Sequence, residues 1–302
     1  MDIEHALHSI VALHSTIPED GFTAGTLGTE RAGSGVVIRD SGLVLTIGYL
    51  ITEAENVWLT AADGRVIPAH ALAYDQETGF GLVQALGRLD LPALDLGNTG
   101  RLEVGDPVIM AGGGRSQFVQ ANVVGKQEFA GYWEYLLEEA IFTAPAHPSW
   151  GGAGLIGPDG KLLGVGSLLL QVTQRGSAQD ANMTVPIDLL PPILDDMLTY
   201  GRVNKPPRPW LGIFSGESNG RVVVMNVAER GPAASAGLRP GDIVSEIRDQ
   251  DVQGLADFYR KVWKSGPAGT EIPIRVVRDN RGLWLRIKTA DRGSYMKKPR
   301  LQ

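Results

Sequence analysis

The chain has 302 residues, of which 43% are hydrophobic and 21% charged, and a formal net charge of −6. This is room for about two domains of ~150 residues, and the acidic balance excludes an extended nucleic-acid surface. No cysteine is present, which excludes disulfides, thiolate metal sites and a cysteine nucleophile without fixing a compartment.

Glycine (39) and proline (18) are abundant, as in a chain of many short strands and turns. No stretch approaches the ~20 apolar residues that span a bilayer, so no membrane contact is expected. The start, Met1-Asp2-Ile3-Glu4-His5, is acidic and lacks the apolar run of a signal peptide. The simplest placement on that evidence is cytoplasmic, or periplasmic if the sequence is a trimmed form.

In chain order, Ile3, Leu7, Ile10 and His14 share a helical face, which predicts a short amphipathic helix over about residues 2–9. Ser9–Leu13 reads equally as the start of a first strand. Gly35–Arg39 and Leu43–Thr46 flank Asp40-Ser41-Gly42, a hairpin signal, and Val57–Thr60 and Val66–Ala69 flank a second turn. Further strands are predicted at Gly81–Leu86, Pro107–Met110, Val119–Val124, Ala140–Thr143, Leu155–Ile156, Leu162–Gly166 and Asn182–Val185. Strands this short and frequent make a β barrel or sandwich.

Ile187–Tyr200 reads as a helix with an apolar side, regular from about Pro192 and capped by Gly201. Asn204-Lys205-Pro206-Pro207-Arg208-Pro209 is a stiff linker, which places the domain boundary at 201–209. Beyond it, Leu255, Phe258, Tyr259 and Val262 lie on one face of a helix from Leu255 to about Lys264. Lys297-Lys298-Pro299-Arg300 closes the chain as a solvated basic tail, taken as 293–302. Glu138-Glu139 reads as a solvated pair, and no His/Asp/Glu group has ligand spacing, so no metal or other cofactor is expected.

Five blocks in order resemble the HtrA family of trypsin-like serine proteases with PDZ domains. They are "GSGVVIRDSGLVLT", "LPALDLGNTGRLEVGDPVIMAGG", "NMTVPIDLLPPILDDMLTYGRV", "PWLGI" and "GPAASAGLRPGDIVSEI". The resemblance implies a mainly β chain, with a trypsin-like double β-barrel over 31–200 followed by one C-terminal PDZ domain over 210–292. It also implies that the arm at 1–30 assembles a homotrimer.

The blocks that carry the family's catalytic triad depart from its pattern. Tyr49 stands where the histidine belongs, in Thr46-Ile47-Gly48-Tyr49-Leu50-Ile51. Gly79 stands for the aspartate in Gly79-Phe80-Gly81-Leu82-Val83. Gly151 stands for the serine in His147-Pro148-Ser149-Trp150-Gly151-Gly152. Glycine has no attacking atom, and a phenol of pKa ~10 is a poor base near neutrality. The sequence therefore leads to the expectation of a non-enzyme, a pseudoprotease. In the former cleft only His147 and Ser149 offer a relocated pair, and Trp150 is read as filling the vacated space, as an exposed aromatic for subunit or partner contact, or as ordinary packing.

PDZ domains add a partner's C-terminus as a strand and hold its carboxylate on backbone N–H groups of a tight loop. The resemblance places that loop at Leu211, Gly212 and Ile213, with Leu255, Phe258 and Tyr259 on the opposite wall. Gly237-Leu238-Arg239-Pro240-Gly241-Asp242 is the family's architectural turn. The function expected is a binding scaffold or adapter for protein C-termini or exposed strands. The alternatives are a holdase-type chaperone and an active serine endopeptidase with non-standard residues.

Overall fold

The computed structural model describes residues 3–113, 117–174 and 176–297. Period-two burial along the strands, such as the alternation in Val66–Tyr74, turns one face of each strand inward. Six strands close the first barrel: β1 (Ile10–Thr16), β2 (Glu30–Arg39), β3 (Leu43–Ile47), β4 (Asn56–Thr60), β5 (Val66–Tyr74) and β6 (Phe80–Ala85), in the order β1-β2-β3-β6-β5-β4. Six more close the second: β7 (Pro107–Ala111), β8 (Phe118–Gly131), β9 (Tyr135–Ala144), β10 (Gly154–Ile156), β11 (Leu162–Gln174) and β12 (Ser177–Pro186), in the order β10-β11-β12-β9-β8-β7. Closure leaves neither sheet a free edge. Both cores are aliphatic, with Leu45, Leu59 and Leu82 fully buried in the first and Met110, Ile141 and Leu155 in the second.

Helix α1 (Ile3–His8) precedes β1, and a short helix α2 (Ala24–Leu27) lies between β1 and β2. The first strand therefore starts at Ile10, later than the sequence signal at Ser9. A 3-10 turn at Ile187–Leu189 leads into α3 (Pro191–Tyr200), with Pro191 in the first turn, where its missing N–H costs nothing. Gly201 ends α3 in the left-handed conformation and donates to Met197 O.

The third sheet contains β13 (Ile213–Ser218), β14 (Arg221–Val227), β15 (Ile243–Ile247), β17 (Glu271–Arg278) and β18 (Arg281–Lys288) in that order, with a short β16 (Gln250–Asp251) on β15. Helices α4 (Pro232–Ser235) and α5 (Leu255–Lys264) complete it. Leu255, Phe258, Tyr259 and Val262 are buried from α5 among Leu211, Ile213, Val244 and Ile274. The Gly237–Asp242 turn is fixed by Asp242, which is 1% exposed, accepts from Arg239 N and pairs with Arg278.

Two compact units result. One is Glu128–Glu138 with Lys205–Met296, and the other holds the remaining described residues. The tip of the β8–β9 hairpin therefore folds with the third sheet. Lys297 is not a free tail residue, because its backbone N–H donates to Glu53 and its ammonium pairs with Asp20. Residues 298–302 lie outside the described residues, as do Met1 and Asp2.

Candidate functional sites

Of the positions expected for the triad, Tyr49 reaches the space beside Gly151, and its neighbour Gly48 bonds to Gly79. Tyr49 Oη donates to Ser167 O at 2.9 Å and accepts from the Trp150 side chain. Burial raises the phenol far above its ordinary value, so it stays protonated. A Cβ added at Gly151 would lie 2.8 Å from Tyr49 Oη. Glycine at 151 thus makes room for the tyrosine hydroxyl. Gly79 adopts φ +83° and its carbonyl accepts from Gly48 N at 2.7 Å.

His147 and Ser149 lie together without forming a nucleophile–base pair. His147 is 2% exposed, and its Nδ1 accepts from the Ser149 backbone N–H at 3.0 Å. The remaining ring nitrogen therefore carries the proton, and the ring also hydrogen-bonds to the Gln117 backbone. Burial lowers the imidazole pKa, so the ring is neutral at neutral pH. His147 N donates to Asn182 Oδ1 at 2.6 Å, and Asn182 Nδ2 donates back to His147 O at 3.2 Å. The loop is held by the Asn182 side chain from β12 and by the His147 ring.

The second site is built on the loop at the start of β13. Leu211 N donates to Glu134 Oε2 at 2.9 Å, while Gly212 N and Ile213 N donate to Oε1 at 2.7 and 3.0 Å. Gly212 holds φ +77°, and a Cβ there would meet the Trp210 ring at 3.1 Å. Only glycine turns the loop so that consecutive N–H groups converge. Glu134 is 5% exposed. Burial pushes its pKa up to about 7, against the pull of the three amides and of Arg292.

Tyr259 from α5 is 1% exposed; its hydroxyl donates to Gly131 O at 2.8 Å and accepts from Glu134 N at 3.3 Å. Leu255 and Phe258 are core side chains, 6% and 0% exposed. Ser215 N, on β13, donates to Tyr132 O at 2.8 Å. Leu136 joins the apolar cluster of Leu211, Ile213, Leu255 and Phe258. Around the rim, Arg260 pairs with Glu128 and Glu138, and Tyr132 lies 6.2 Å from Phe214, ring centre to ring centre.

Glu134 and its neighbours were not singled out from the sequence. The available signal was Phe129-Ala130-Gly131-Tyr132-Trp133-Glu134-Tyr135, a run of four aromatics at one hairpin tip. Glu138 and Glu139 are exposed as expected but not merely solvated: Glu138 pairs with Arg260 and Glu139 with Lys126. Among the described residues no group of three or more His, Asp or Glu side chains gathers as metal ligands.

The trypsin-like peptidase domain family matches residues 33–165, and the PDZ domain family matches residues 209–289. The chain has a trypsin-like domain followed by one PDZ domain and is similar to HtrA-type proteases. A "probable periplasmic serine endoprotease DegP-like" of Pseudomonas fulva is 25% identical over 87% of this chain and 57% of its own length. A "probable periplasmic serine protease do/HhoA-like" of Haemophilus influenzae is 26% identical over 85% of this chain and 57% of its own. The HtrA-like chain thus spans a little over half the length of these relatives. Among solved structures, the "HtrA-type protease AlgW with decapeptide" superposes with a TM-score of 0.56 at 21% identity, covering 99% of this chain and 100% of that one. A serine endoprotease from Yersinia pestis gives 0.55 at 21%, with 96% of each chain covered. At that identity the structures speak for the fold.

Two expectations are corrected by these relatives. The chain was expected to be a non-enzyme, yet the relatives are named as probable serine proteases or endoproteases. The replacements expected at Tyr49, Gly79 and Gly151 therefore do not establish inactivity, and backbone donors and substrate binding alone retain ~10³–10⁴-fold catalysis over water in a well-studied case. The cytoplasmic placement is corrected as well, because relatives are named periplasmic. A signal h-region is removed from a mature secreted chain, so the character of residues 1–5 carries no weight on compartment.

Proposed function

We propose that this HtrA-like chain binds peptides through its PDZ domain, holding a carboxylate on the N–H groups of Leu211, Gly212 and Ile213. The ligand adds as a strand to β13, the edge of the third sheet. One observation carries this reading: all three amides are directed at a single carboxylate within 2.7–3.0 Å. That geometry is a carboxylate receptor, whichever chain supplies the carboxylate. The decapeptide named with AlgW supports peptide binding by the shared architecture. Tyr259 and Leu255 supply the wall from α5, and the apolar surroundings favour a ligand ending in an aliphatic residue.

Peptide arrays with free and amidated C-termini, read by fluorescence polarisation on the full chain, test the proposal. Free-acid peptides with an apolar last residue bind, amidated ones do not, and Gly212→Glu abolishes binding while its circular dichroism stays unchanged. Equal binding of acid and amide forms would sink the reading. The same preparation is assayed on casein. Any cleavage it shows runs without a serine nucleophile at position 151.

A further inference from the structure

The carboxylate receptor is already filled by the chain itself. We infer that the β8–β9 hairpin tip, Glu128–Glu138, is a built-in ligand of the PDZ groove, and that a C-terminal peptide gains the groove only by displacing Glu134. This inference rests on the peptide-binding reading above and adds to it a competitor encoded in the same chain.

The hairpin reproduces the elements of strand-type recognition with internal groups. The Glu134 side chain supplies a carboxylate to all three loop amides. Tyr132 O takes the N–H of Ser215, a bond to the edge strand β13. Leu136 places an aliphatic side chain in the apolar cluster of Leu211, Ile213, Leu255 and Phe258. The carboxylate, the strand bond and the apolar side chain are the three contacts by which a terminal peptide is held.

The backbone is bent to make this possible. Glu134 has φ +59°, in the left-handed region that non-glycine residues seldom adopt. The bend is held by Tyr259, whose hydroxyl bridges Gly131 O and Glu134 N. A turn serving only to join two strands would favour asparagine or glycine at such a position. Here the position carries a glutamate whose carboxylate is spent entirely on the neighbouring loop. The rim pairs of Arg260 with Glu128 and Glu138 hold both hairpin arms to α5.

A groove open only part of the time binds an outside ligand with its affinity reduced by the open fraction. Removing the internal carboxylate therefore strengthens peptide binding, the opposite of what loss of an ordinary structural contact does. The probe is a fluorescein-labelled pentapeptide, Gly-Tyr-Trp-Val-Leu with a free carboxylate, titrated into the full chain as wild type, Glu134→Gln, Glu134→Ala and Arg260→Ala. Amide hydrogen exchange at 211–213 is followed in parallel without peptide. Glu134→Ala is expected to bind the probe about tenfold more tightly than wild type, with Arg260→Ala intermediate, and to exchange the loop amides faster. Glu134→Gln keeps one acceptor oxygen and falls between wild type and Glu134→Ala.

If wild type and Glu134→Ala bind equally and exchange equally, the built-in ligand is overturned while peptide binding stands. If neither binds the probe or any free-acid peptide of the array, yet loop exchange quickens in Glu134→Ala, peptide binding fails and the internal occupancy stands. If Glu134→Ala binds more weakly than wild type while keeping its circular dichroism, Glu134 is a supporting residue and the inference is overturned.

Discussion

The hydroxyl of Tyr49 lies 2.8 Å from the point where a Cβ on Gly151 would sit. Tyr49 thus occupies space that any side chain at position 151 would need. The two replacements are sterically coupled. Gly151→Ser alone is expected to destabilise the domain by about 1–3 kcal/mol through overpacking. Tyr49→Phe, which removes the hydrogen bond to Ser167 O, costs about 1–2 kcal/mol. The double variant Tyr49→His with Gly151→Ser should cost less than the sum of its single changes. Urea denaturation of the wild type, Tyr49→His, Gly151→Ser and their double variant measures the coupling, and strict additivity would contradict it.

Ser149 has no free lone pair on His147 Nδ1 beside it. Its backbone N–H is committed to His147 Nδ1, and that ring is buried, neutral and bonded on both sides. Ser149→Ala should leave any peptide cleavage by the purified chain within about twofold of wild type, since no transition-state contact is removed. A loss of cleavage with the fold intact would place Ser149 in the chemistry.

Seating of Glu134 should depend on pH with a defined sign. The groups facing its carboxyl are the Leu211–Ile213 amides, the Tyr259 hydroxyl from α5 and the Arg292 guanidinium. Burial raises Tyr259 well out of the working range, so it does not titrate. The Glu134 pKa rises from 4.5 to about 7 on seating. A carboxyl whose pKa is raised in the seated state takes up a proton on seating. Its contribution is therefore full below about 4.5 and is lost as pH rises through about 7. Exchange at the 211–213 amides, corrected for intrinsic rates, should quicken across that window and then level off. In Glu134→Gln the window should vanish.

Asp242 anchors the PDZ turn. Burial works against its charge, but the Arg278 pair and the Arg239 amide outweigh this and hold its pKa below the ordinary carboxylate value. Asp242→Asn should cost about 1.5–3 kcal/mol, the range for hydrogen bonds to charged groups. Because the folded pKa is depressed, the wild type's advantage is present above the unfolded value and fades as pH falls through the folded one. Denaturation curves of the two proteins at neutral and acidic pH should therefore converge.

Much of the fold was legible because it rests on local signals. The turns at Asp40–Gly42 and Asp63-Gly64, the proline-rich segment before Trp210 and the 3–4 spacing from Leu255 to Val262 each act within ten residues. Leu211–Ile213 was found through the resemblance, as a loop awaiting a carboxylate. What filled it was not legible. Glu134 lies 77 residues upstream of Leu211, and no periodicity links a hairpin tip to a distant loop. His147 and Ser149 are two apart in sequence and meet in space. Which nitrogen the amide occupies is a matter of backbone direction, and composition does not encode that. The names of the relatives, not the residues, overturned the non-enzyme and cytoplasmic expectations.

The hairpin that carries Glu134 is covalently continuous with β8 and β9, so its local concentration does not fall when the protein is diluted. Linked ligands commonly reach effective concentrations on the order of millimolar. An incoming peptide in the micromolar range must therefore offer a much higher intrinsic affinity than the hairpin's own contacts to take the loop. Weak, abundant chain ends would be screened out, and only strong or highly concentrated ones would register. The groove would then work as a threshold detector, with its set-point written in the sequence between Glu128 and Glu138.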